Sequence, residues 1–101
     1  NQKGETMNGS EKQVEWAEDI KAEVMTKMAG HREVLAARFV RRNLDESNPR
    51  RIEQMEAFDA CMAYFLAQTE AKWWIDNMRS VEVDDMFINT WTMRARRAAK
   101  A

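Results

Sequence analysis

The sequence predicts an all-α fold, on three observations. Only one Pro and three Gly interrupt 101 residues rich in Ala, Glu, Lys, Arg and Met, so most of the chain favours helix. Apolar residues recur every three or four positions over long stretches. The longest alternating run of strand formers is Val81-Glu82-Val83, too short for a strand of consequence. The expected architecture is an antiparallel hairpin of two long helices with a shorter third helix packed on it.

Residues 1–9 are expected to be a flexible lead-in, with residues 10–101 as one helical domain and Met7 as a candidate start. Helix one opens at Ser10, with Gln13 three residues on to complete a capping box and Glu11 favourable to the helix dipole. From there Ala17, Ile20, Val24, Met28, His31, Leu35 and Phe39 draw one stripe. The stripe keeps its phase across Gly30, which argues for a single helix to about Leu44, although Gly costs about 1 kcal/mol there relative to Ala. Leu44 to Pro49 reads as a loop, with Pro49 as a first helical residue and Ser47 or Asn48 as its cap. Helix two carries Ile52, Met55, Phe58 or Asp59, Met62, Phe65 or Leu66, and Thr69, and is expected to run on to about Met78. Ala57, Ala60, Ala63 and Ala67 leave room for a neighbour to approach closely. Arg79 to Val83 reads as a connector, and Asp84 as the cap of a third helix with Phe87, Ile88, Trp91, Ala95 and Ala98 on its apolar side.

Composition narrows the chemistry. With 45% hydrophobic and 33% charged residues the chain is a folded domain rather than a disordered one. Cys61 is the only cysteine, so an intrachain disulfide and a cysteine-built metal cage are both excluded. No apolar run approaches the roughly 20 residues of a membrane helix, and no leader is evident. A soluble, cytoplasmic protein is the resulting expectation. Charge is segregated. Residues 32–51 hold six Lys/Arg against three Asp/Glu, 52–93 hold two against eight, and 94–101 hold four against none. Two basic blocks therefore flank an acidic one.

Two stretches carry a resemblance: Gly9-Ser10-Glu11-Lys12-Gln13-Val14-Glu15-Trp16-Ala17-Glu18-Asp19-Ile20, and Thr69-Glu70-Ala71-Lys72-Trp73-Trp74-Ile75-Asp76-Asn77. Together they resemble a group of small bacterial and phage-associated helical proteins of uncharacterised function. The resemblance covers the layout of residues 9–78, and in sequence only its two ends. It implies a helical hairpin and a setting among mobile or accessory genes, and it brings no catalytic residues. Independently, an antiparallel hairpin should bring Trp16 beside Trp73 and Trp74 as the wide end of the core, with one of the adjacent pair inside and the other in a groove or partly exposed.

Enzyme chemistry finds little to stand on. His31 is the lone histidine, and no carboxylate stands one turn away to orient it, so partners would have to come from elsewhere in the fold. Cys61 sits among Ala60, Met62 and Tyr64 with no nearby base, as a small hydrophobe would. The acidic residues of helix two lack the Glu-x-x-His pairs of di-iron bundles, and no Gly-rich phosphate loop is present. No cofactor and no metal are expected, and the protein is read as a non-enzyme. The basic blocks offer more. Arg38, Arg41 and Arg42 share a helix face with Arg50 and Arg51 across the loop, while Arg94, Arg96 and Arg97 line the tail with Lys100. The leading expectation is a helical interaction module, a small subunit or accessory of a nucleic-acid-handling assembly such as an antiviral defence complex, using these arginines. The alternative is a phage or mobile-element inhibitor of the anti-CRISPR type, binding a host protein through an acidic face of Glu53, Glu56, Glu70, Asp84 and Asp85. A homodimer stays open as a third reading.

Overall fold

A computed structural model describes residues 7–100 as four helices: α1 (Glu11–Arg41), α2 (Pro49–Leu66), α3 (Ala71–Met78) and α4 (Asp85–Lys100). The fold is all-α, as the periodicity requires. The 31 residues of α1 set the long axis of a molecule 48 × 29 × 24 Å across. At its start the Ser10 hydroxyl accepts from the Gln13 amide, and the Gln13 side chain accepts from the Ser10 amide. Gly30 lies inside the helix without breaking it. The helix closes at Arg41, earlier than Leu44, because Asn43 turns left-handed at φ 57°. Leu44 then donates to the Phe39 carbonyl and Asn43 to that of Val40, the paired bonds of a Schellman cap. Asn48 caps α2, its side chain accepting from the Arg50 amide, with Pro49 as the first helical residue.

The second helix is where expectation and structure part. It ends at Leu66 instead of running on to Met78, so the described residues form four helices and not three. The reason is tertiary. The Thr69 carbonyl accepts from the Asn8 amide at 2.8 Å, the Ala71 amide donates back to the Asn8 carbonyl at 2.9 Å, and the Trp74 indole donates to the Gln68 carbonyl at 3.2 Å. These partners hold the backbone of residues 68–70 in an extended elbow, with Asn8 bridged in parallel to Glu70. Residues 1–6 of the expected lead-in lie outside the described residues. Met7 to Gly9 are docked: Met7 is buried, and Asn8 makes the bridge just described.

The stripe read on α1 is the buried face, from Ala17 to Phe39 with His31 included. α1 packs most closely on α3, and α2 on α4. Because Asn8 meets Glu70, Lys27 meets Val81 and His31 meets Asp85, the chain from 70 to 85 runs parallel to α1. The close approach of α4 to α2 occurs at Ala57 and Cys61: Thr92 Oγ1 donates to the Ala57 carbonyl at 3.0 Å, and Cys61 Sγ lies 3.3 Å from the Ile88 carbonyl. Trp16 does not join the other indoles. It is 46% exposed, and the residue that covers its ring is not a tryptophan but Arg79, just past the end of α3. Trp91 of α4 takes the expected place, 5.6 Å from Trp73 and 5.7 Å from Phe65 between ring centroids. Trp74 is sealed in the core, and Trp73 is half-buried beside it.

Candidate nucleic-acid interface

The arginines of the first basic block divide into two groups. Arg38 is mostly buried, its Nη2 3.1 Å from Asp85 Oδ2, which ties α1 to the start of α4. Arg51 lies over the Phe39 ring at 5.1 Å and donates to the Leu44 carbonyl, so it fastens the α1–α2 turn. Arg41, Arg42 and Arg50 are exposed, and among the described residues none of them forms an ion pair. Arg41 stands in the last turn of α1, where the dipole welcomes a cation. Arg50 stands in the first turn of α2, where the dipole opposes one, and no acidic residue offsets it there. Helix electrostatics therefore leave Arg50 unexplained. The three guanidiniums crown one end of the molecule, where α1 stops and α2 begins.

The second basic block lies elsewhere. Arg94 covers the Trp91 ring at 4.5 Å, while Arg96, Arg97 and Lys100 are exposed and, among the described residues, unpaired. Met93, Arg96, Arg97 and Lys100 line a surface hollow of their own. The two blocks lie on different helices, and no residue of the first block lines that hollow.

The acidic residues are also dispersed. Glu53 and Glu56 are exposed on α2. Glu70 stands at the elbow beyond the other end of α2, accepting from the Asn8 side chain at 3.0 Å. Asp84 caps α4, its carboxylate accepting from the Phe87 amide at 2.8 Å, and Asp85 faces His31 and Arg38. Sequence reasoning missed the last grouping. His31 Nε2 lies 3.4 Å from Asp85 Oδ1, and the ring stacks on Phe58 with centroids 6.5 Å apart. The carboxylate that α1 itself does not supply arrives from α4, and nothing local in the sequence announces it. His31, Arg38 and Asp85 open onto a cleft of about 250 Å³ between α1, α2 and α4. Among the described residues, no cluster of His, Cys, Asp and Glu is arranged to hold a metal ion, and no helix is long and apolar enough to cross a membrane.

No protein-family model, curated protein or solved structure matches the chain.

Proposed function

We propose that the protein is a binding module, not a catalyst, that engages nucleic-acid phosphates as an accessory of a nucleic-acid-handling assembly. The observation that carries this reading is the crown of Arg41, Arg42 and Arg50, three exposed guanidiniums without ion-pair partners among the described residues. Guanidinium forks match phosphate oxygens in pairs, and their unspent donors favour an anionic partner. The tail of α4, with Arg96, Arg97 and Lys100 exposed together, adds a second cationic contact. A formal charge of −1 fits a partner recognised by patches rather than by overall attraction. A reducing, cytoplasmic setting is part of the proposal, in keeping with a single free thiol.

The test is equilibrium binding of a labelled RNA or DNA oligomer across a salt series, comparing the protein with an R41E/R42E/R50E variant. Arg38 is left intact because reversing it would also unfasten α1 from Asp85. Each lost phosphate contact should lower the slope of log affinity against log salt by about 0.7 to 0.9, so the variant should bind far more weakly and with a flatter slope. Equal affinity and equal slope for the two proteins would sink the proposal.

A further inference from the structure

The cleft beside Arg38 has the character of a recognition pocket. Its floor is apolar, made by Leu35, Ala57 and Ile88, and its polar rim gathers His31, Arg38 and Asp85 with the amides of Gln54 and Asn89. His31 is only 7% exposed, and neither ring nitrogen makes a hydrogen bond among the described residues. No sealed side-chain polar atom among the described residues lacks a partner, so the imidazole nitrogens face the clefts that His31 lines. The Arg38–Asp85 pair is not used up by its own contact. Arg38 approaches Asp85 through Nη2 alone, which leaves donors on Nη1 and Nε, and a carboxylate has about four acceptor sites. A donor and an acceptor are thereby fixed side by side at the mouth of an apolar slot.

We infer that this cleft takes a single unpaired nucleobase, guanine before the others, from a strand whose phosphates lie on Arg41 and Arg42. The inference rests on the proposed phosphate contact and adds to it the part of the ligand that carries sequence. Three observations lead there. At about 250 Å³ the cleft lies just below the range of pockets for drug-sized ligands, which suits one flat ring system and excludes a large cofactor. Arg38 is one turn, about 5 Å, below Arg41 and Arg42 on the same side of α1, so phosphate and base positions sit on consecutive turns. Guanine alone among the common bases presents two adjacent donors, N1–H and N2–H₂, to a carboxylate such as Asp85, and its O6 accepts from arginine. Bases are read in this way when they are splayed out of a single strand, with their Watson–Crick edges free.

The experiment compares two RNA octamers, one all uridine and one with a single central guanosine, by fluorescence anisotropy at fixed salt. The guanosine-bearing RNA should bind roughly tenfold tighter. An Asp85→Asn variant should bring the two RNAs to the same affinity, since an amide offers one acceptor where the carboxylate offered two. A second measurement uses the unaltered protein and so does not depend on a variant folding: guanosine 5′-monophosphate, but not the uridine nucleotide, should shift the NMR signals of the His31 ring and the Asn89 side chain. Equal affinity for the two RNAs together with unmoved His31 and Asn89 signals would overturn the cleft assignment, even with salt-dependent binding intact. Failure of both octamers to bind would overturn the phosphate reading instead, and a guanosine-specific shift at His31 would still uphold the cleft.

Discussion

Cys61 has no exposed surface, and its sulfur lies 3.3 Å from both the Ile88 carbonyl and the Thr92 hydroxyl. Burial pushes its thiol pKa up, and the Thr92 contact only partly opposes that shift. Two outcomes follow at this scale. A water-soluble disulfide reagent at pH 8 should modify Cys61 only as fast as the protein opens, and rapid native-state labelling would contradict the geometry. The unfolded chain ionises its thiol near pH 9.0 while the folded chain holds its proton to higher pH. Stability owed to this thiol is therefore full below that value and declines as pH rises through it, as urea denaturation on either side should record. Individual residues were unevenly legible. Cys61 as a buried hydrophobe could be read from its neighbours in sequence, because they share its helix. The environment of His31 could not, because Asp85 lies 54 positions further along the chain and is brought in by the folding of α4.

At the scale of elements, local signals performed well wherever the determinant was local. The Ser10–Gln13 box, Pro49 after its Asn48 cap, and Asp84 before α4 each act within one turn, and each stands where the sequence placed it. The continuity of α1 through Gly30 is another such case, and it carries a prediction. A Cβ added at Gly30 would meet nothing within 4 Å, so Gly30→Ala should gain about 1 kcal/mol from helix propensity alone. In a domain of this size that is a rise in Tm of roughly 4–8 °C, and a scanning calorimeter would detect an unchanged or lowered value as readily. The break at residues 67–70 was illegible for the complementary reason. Gln68-Thr69-Glu70 contains no Gly or Pro, and the groups that open the helix there belong to Asn8 and Trp74.

For the molecule as a whole, the aromatic cluster of Phe65, Trp73, Trp74 and Trp91 is where α2, α3 and α4 converge, and Trp74 is its sealed member. Trp74→Ala should cost about 3–5 kcal/mol, since it both opens a cavity and leaves the Gln68 carbonyl without its indole donor. Against a total stability of about 5–15 kcal/mol, that loss should lower the melting temperature by more than about 10 °C, as circular dichroism would record. A near-native melting curve would show that α3 is not integral to the core. The all-α class could be read from periodicity because every helix has to bury a stripe. The partnering of α1 with α3 could not, since loop lengths favour sequential neighbours while the contact that seats α3 joins Asn8 to Glu70, 62 positions apart. That partnering also fixes an order of events on the ribosome. The apolar side of α1 emerges first, yet Asn8 finds Glu70 only after 62 further positions have been added. At roughly 5–20 residues per second, the nascent α1 stays bare for several seconds, a natural client for a chaperone until α3 arrives to cover it.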